Sequence, residues 1–343
     1  MVLCSEDTSW FARRQHEAKK GCCPLFGPRS QKRVLSPFRA PFRLQVNIMD
    51  KGIDQNDPSH LIVKLPWRIG DYKEVVLENV VRITLYANSP RRQSTDFLEH
   101  FPQLETLVCV NRKPIDLSGV RFVQGISRLY IASCLDYIGL EADYFKCLRL
   151  LSVHCGKGSP NQEWIMGLKS LFELDISNAS AEMIHELTLR NTIKTLKMTH
   201  CGVKDLQQEI GGLRHVRKLD ISRMPKLTRI GGVDSYRQLS KVKISKCRNV
   251  NDIDVLAEIA GLTFLLLEAT PHLDSLSAAA FLKQIRYFVL LENAGIQDKN
   301  MHPLLSCPLL EWVAYVNKSG YSMKDYDIRS KLGIETYSGE VNW

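Results

Sequence analysis

The stretch IKTLKMTHC, residues 193–201, places apolar side chains at its first, fourth and sixth positions and a cysteine at its ninth. The same pattern returns as VVRITLYAN from Val80, LETLVCVNR from Leu104, ISRLYIASC from Ile126, LRLLSVHCG from Leu148 and LFELDISNA from Leu171. It continues as VRKLDISRM from Val216, LSKVKISKC from Leu239, LTFLLLEAT from Leu262, IRYFVLLEN from Ile285 and LLEWVAYVN from Leu309. Successive copies start 24, 22, 22, 23, 22, 23, 23, 23, 23 and 24 residues apart. Unrelated apolar runs would not hold so narrow a spacing, so the chain reads as an internal repeat of some eleven coils.

Alternation at positions 4 and 6 turns two side chains inward, while positions 3, 5 and 7 face outward on a parallel sheet. At position 9 the chain turns, and the enclosed side chain has to satisfy backbone groups that the strand ladder no longer serves. Asparagine does so best, and cysteine or threonine is a smaller substitute. Asn88, Cys134, Cys201, Cys247, Thr270, Asn293 and Asn317 fill the slot as expected, whereas Arg112, Gly156, Ala179 and Met224 depart from it. Cys201 is therefore read as a structural thiol. Return segments such as VKDLQQEIGGL close the coil with Val203, Leu206, Ile210 and Leu213 at helical or 3-10 spacing, and PKLTRIGGV looks more extended.

This architecture resembles the leucine-rich repeat superfamily, in its intracellular form with irregular repeats of 22–24 residues. The resemblance implies an α/β fold: a leucine-rich repeat solenoid with a parallel β-sheet on the concave face and short helical, 3-10 or extended return segments on the convex face. The expected organisation is a disordered basic extension over 1–48, an N-terminal cap over 49–79, the array over 80–317 and a C-terminal cap or tail over 318–343. Leu61, Val63, Leu65 and Trp67 supply the first cover, and Tyr321, Tyr326 and Ile328 the second, because a stack exposes an apolar coil at each end.

Composition narrows the setting. The net charge is +9, but residues 1–48 alone carry nine Arg or Lys against three acids, which leaves the body of the chain about +3. That segment includes GCCPLFGPRSQKRVLSPFRAPF, whose four prolines defeat any periodicity. It is either an extension without a role or a tether for nucleic acid or membrane, with Cys22 and Cys23 as acylation candidates. Glu6 and Asp7 interrupt any secretory h-region, and no apolar run approaches the roughly 18 residues of a membrane span. Ten cysteines without CxxC pairs read as reduced thiols in the cytoplasm, with no disulfide and no zinc.

Chemistry is not legible. CGKGS, residues 155–159, lacks the spacing of a phosphate loop and sits in a repeat turn. His154–Cys155 and His200–Cys201 lie too far apart, at two strand spacings, to share one metal. No nucleophile elbow, dinucleotide fingerprint or HExxH helix occurs. The expected chain has no catalytic residues, no metal, no cofactor and no small-molecule substrate.

The outward positions of three coils carry Lys194, Lys197, Arg217, Lys218, Arg223, Lys241, Lys243 and Lys246, with His200, against Asp220. The next coils place Phe264, Leu266, Tyr287, Val289, Leu291, Leu310, Val313 and Tyr315 at nominally exposed positions. The first group, with Phe264 and Tyr287, forms the expected contact set for a protein partner, an acidic one, as in intracellular repeat proteins that serve as adaptors, regulators or inhibitors. The alternative is nucleic acid or an anionic membrane surface, against which the basic coils lack interleaved aromatics. Because Lys197 and Lys243 face solvent, reversing both to glutamate is expected to leave stability unchanged.

Overall fold

Every repeat contributes one short strand, and alternation buries its fourth and sixth residues while the intervening ones face outward. The structure is a computed structural model describing residues 52–54, 57–67, 77–87, 91–110, 115–132, 137–155, 163–210, 213–230, 236–250, 254–257, 259–270, 272–292 and 294–334. The arm over 1–48 lies outside them, as do Asn88, Arg112, Cys134, Gly156 and Asn293.

The sheet comprises β1 (Gly52–Asp54), β2 (Asp57–Leu65), β3 (Arg82–Ala87), β4 (Thr106–Val110), β5 (Arg128–Ala132) and β6 (Leu150–His154). It goes on through β7 (Glu173–Ser177), β8 (Thr195–Thr199), β9 (Lys218–Ser222), β10 (Lys241–Ser245), β11 (Phe264–Glu268), β12 (Tyr287–Leu291) and β13 (Trp312–Tyr315). The thirteen strands pair in chain order. β1 runs antiparallel to β2, and each pairing from β2 to β13 is parallel. One strand per coil, stacked in register at a period of 22 to 25 residues, is the leucine-rich repeat fold.

The return segments are mostly single 3-10 turns, such as Asp96–His100, Ser118–Phe122 and Ser277–Phe281. Helical pieces are α1 (Glu163–Met166), α2 (Ala181–Arg190), α3 (Leu206–Glu209), α4 (Asp254–Ala257) and α5 (Asp325–Leu332). Val203, Leu206, Ile210 and Leu213 are all buried, as their spacing requires. In α2, Ser180 caps the start by accepting from Met183 N. Asn191 plugs its end: Oδ1 accepts from Leu171 N at 2.9 Å, and Nδ2 donates to Leu168 O and Leu187 O at 3.0 Å.

The turn after each strand has a regularity that the sequence hides. Asn178, His200, Arg223, Lys246, Ala269 and Glu292 all occupy position 8 and all have φ between 48° and 57°. That left-handed conformation costs a non-glycine residue energy, and in all of these but Glu292 the turning N–H donates across the sheet and holds it. Examples are His200 N to Ser222 O at 3.2 Å and Arg223 N to Ser245 O at 2.8 Å. At position 9 the buried Cys201 thiol donates to Thr199 O and Ile176 O at 3.5 and 3.6 Å, and Cys247 reaches Ser245 O at 3.4 Å. Thr270, Ala179 and Met224 are likewise buried in the slot.

Burial pushes the Cys155 thiol up to about 12 and Cys307 to about 11, and it raises Cys201 and Cys247 as well. The thiolate is the reactive form, so these side chains should resist iodoacetamide in the folded protein. Exposed Cys147 should be labelled ahead of these four. Peptide mass spectrometry of a time course checks the order, and labelling of Cys201 as fast as Cys147 would contradict its enclosure.

The last coil departs from the expected register. Tyr287 pairs with Trp312 and Leu290 with Tyr315, so the repeat begins at Leu310, not Leu309. A one-residue slip exchanges the two faces. Leu310, Val313 and Tyr315 therefore join the core, and Leu309 is exposed. The adjacent leucines fit the template in either register; the structure takes the one in which Tyr315 Oη donates to Met323 O at 3.0 Å. Asn317 then misses the slot and instead holds α5, accepting from Asp325 N at 3.0 Å.

At the ends of the stack, Leu61, Val63 and Leu65 are buried in β2, and Trp67 stacks on Phe97 at 4.7 Å. Ile328 is fully buried and Tyr321 lies 5.9 Å from Tyr315, whereas Tyr326 faces outward, half exposed.

Candidate functional site

The strand ladder brings the basic coils together. Lys197 pairs with Asp220, Lys218 with Lys241, and Asp220 with Lys243 across β8, β9 and β10. Parallel strands stand about 4.8 Å apart, so equivalent side chains form rows across the sheet.

The central row, at position 5, reads Asp175, Lys197, Asp220, Lys243 and then Leu266. It alternates in sign and neutralises itself. Lys197 Nζ lies 2.9 Å from Asp175 Oδ2, and Lys243 Nζ lies 3.7 Å from Asp220 Oδ2. Asp220 is buried, and burial pushes its carboxyl up against the opposing pull of Lys243 and Lys197. The stability expected after reversing Lys197 and Lys243 needs correction, because each new glutamate would face an aspartate that now holds a lysine.

The remaining cations stand on either side of that row. Along the leading edge, at positions 2 and 3, are Lys194, Arg217, Lys218 and Lys241. Lys194 Nζ donates to Gln238 Oε1 at 3.2 Å. Lys218 and Lys241 are neighbours on paired strands, and burial followed by Lys218 pulls the Lys241 ammonium down. Along the trailing edge, Arg223 and Lys246 are exposed at the left-handed turn positions beside His200. Burial, with Arg223 and His154 nearby, lowers the His200 imidazole. Next to it, His154 Nδ1 and Ser177 Oγ are 2.9 Å apart.

The apolar part of the predicted set does not stand open. Phe264 and Tyr287 pair on β11 and β12 with ring centroids 6.0 Å apart. Phe264, Leu266 and Val289 are nevertheless only 1%, 2% and 0% exposed. In the rows, Phe264 lies between Lys241 and Tyr287, and Leu266 between Lys243 and Val289. Tyr287 and Leu291 are half-buried. A contact role for Phe264 by direct exposure is therefore corrected.

Sequence reasoning found Lys194 and Arg217 but passed over Phe172 in the row just before the strands. Arg149, Phe172, Lys194 and Arg217 occupy position 2 of four successive coils, and each backbone N–H donates to the preceding carbonyl at 2.8 Å. Phe172 is 42% exposed in this row. Its signal was an apolar residue at an outward position between two basic ones. Among the described residues, no group of three or more His, Cys, Asp or Glu side chains could hold a metal ion, and no helix is long and apolar enough to cross a membrane.

Comparison with solved structures finds leucine-rich repeat chains at low identity. It resembles an internalin from Listeria monocytogenes at 16% identity and a TM-score of 0.47, covering 71% of this chain and 76% of that one. A leucine-rich repeat protein of Leptospira interrogans aligns at 12% identity and a TM-score of 0.39, over 83% and 92% of the two chains. TLR13 in complex with a single-stranded RNA aligns at 14% identity and a TM-score of 0.41, over 68% and 35%. No family model and no curated protein matches the sequence.

Proposed function

We propose that the protein is a non-catalytic recognition module of the cytoplasm, an adaptor, regulator or inhibitor, that binds an acidic protein through the outward face of β8 to β10. The observation that supports this is the clustering of eight cations on and beside three adjacent strands paired in register, Lys197, Lys218, Lys241 and Lys243 within the strands and Lys194, Arg217, Arg223 and Lys246 at their ends; Lys197 and Lys243 form ion pairs with Asp175 and Asp220. Like charges held this close repel one another, and a partner that neutralises them gains attraction that steers encounter and weakens with salt.

The ion-paired lysines of the central row are poor probes, so the test uses the exposed edges. Arg217→Glu with Arg223→Glu should leave thermal unfolding within about 0.5 kcal/mol of the wild type. The same variant should lose a protein that the wild type captures at low salt and releases at moderate salt. Capture that survives in the variant would remove the basic face from the reading. Capture that disappears for the wild type after nuclease treatment would replace the protein partner with nucleic acid.

A further inference from the structure

The self-neutralised central row divides the basic face into two edges, and the leading edge continues into a cavity. Beside β6 and β7 lies a cavity of about 400 Å³ lined by Lys146, Arg149, Lys169, Ser170, Phe172 and Thr192, among others, with no acidic side chain in the lining. Lys146, Arg149 and Lys169 are exposed, and none makes an ion pair with a described residue. Ser170 Oγ donates to Lys146 O at 3.2 Å, tying the loop before β7 to the loop before β6. The cavity opens on the row Arg149, Phe172, Lys194, Arg217, whose backbone bonds hold neighbouring side chains at strand spacing. An open aromatic ring thus sits in the middle of a cationic strip, whereas Phe264 beyond the basic coils is buried.

We propose that the acidic partner docks at this leading edge, with an acidic polypeptide segment laid across β6 to β9 and one of its apolar side chains seated in the cavity against Phe172. The inference rests on the protein-partner reading above and adds the place and the sequence character of the segment. Carboxylates flanking the apolar side chain meet Lys146, Arg149 and Lys169 on one side and Lys194 and Arg217 on the other. Aromatic anchors of this kind, ringed by complementary charge, concentrate binding energy and specificity. A single-stranded nucleic acid fits less well, because such sites stack successive bases on a series of rings and this row has one.

Fluorescence anisotropy on the full chain at low salt tests it with three labelled probes: a Glu/Asp-rich peptide with one central leucine, the same peptide with serine there, and a short single-stranded RNA. Lys146→Glu with Lys169→Glu should weaken the leucine peptide by roughly tenfold or more, whereas Arg223→Glu with Lys246→Glu on the trailing edge should cost clearly less, through loss of long-range attraction without loss of the seat. Phe172→Ser should abolish the preference for leucine over serine, and this arm stands even if the double reversal fails to fold. Equal affinity of the wild type for both peptides would overturn the seat at Phe172, and an equal loss from the trailing edge would overturn the leading-edge dock. Tighter binding of RNA through the same residues would replace the partner class. No binding of either peptide would remove the acidic-partner reading too, while binding that depends on the trailing edge alone would remove only this one.

Discussion

Leu196→Ala should lower the stability of the fold by about 3–5 kcal/mol, the upper part of the range for truncating a buried leucine. Leu196 is fully buried at position 4 of β8, in register with Leu174 on β7 and Leu219 on β9. Both neighbours are fixed by strand pairing on either side, so the stack cannot close over the missing atoms as a surface helix could. The loss would fall in the middle of the array, where each coil is held by the next, and would reduce coupling between its two halves. Leu196→Met keeps the volume and should cost less than about 1.5 kcal/mol. Denaturant unfolding of both variants checks the pair. A single transition shifted far more by alanine than by methionine is expected. Equal small shifts would mean that position 4 does not face a packed interior.

The interior was legible in the sequence because its signal is repeated: a period of two within each strand and of 22 to 24 residues between strands admits one fold. Where the signal was degenerate, reading failed, as at Leu309–Leu310, whose two adjacent leucines satisfy either register until Tyr315 finds Met323 O. The left-handed turn at position 8 left no trace, since Asn178, His200, Arg223, Lys246 and Ala269 share no chemistry and their conformation is held by the cross-strand bonds.

The candidate face was half legible. Its cations were read from the sequence with only Asp220 set against them, and alignment across strands adds Asp175 as the partner of Lys197 at 2.9 Å. Lys146 and Lys169 lie outside the nine-residue template altogether, in loops whose course depends on the coil as a whole. Strand patterning therefore locates a repeat protein's outward rows well and the edges of those rows poorly, and the edges here carry the charge that the centre cancels.

The side opposite the face is packed more tightly still, and the second large expectation concerns it. Gly119→Ala should destabilise the protein by about 3 kcal/mol or more, at or beyond the upper end of overpacking effects. Gly119 sits in the 3-10 turn Ser118–Phe122, which stacks on the turn Asp96–His100 of the preceding coil. A Cβ there would lie 2.1 Å from Thr95 O and 2.8 Å from Asp96 N, both backbone atoms. Thr95 cannot yield easily: its carbonyl accepts from Leu98 N at 2.9 Å, and its buried hydroxyl donates to Asp116 O at 2.8 Å. The methyl would force two coils apart and break those bonds together. Gly125 supplies the contrast, because its Cβ would meet nothing nearer than Leu104 O at 3.5 Å. Gly125→Ala should be neutral or stabilising by about 0.4–1 kcal/mol through the unfolded chain. If thermal unfolding ranks the two alanines together, the return turns are not in van der Waals contact, and the spacing between coils is set by the sheet alone.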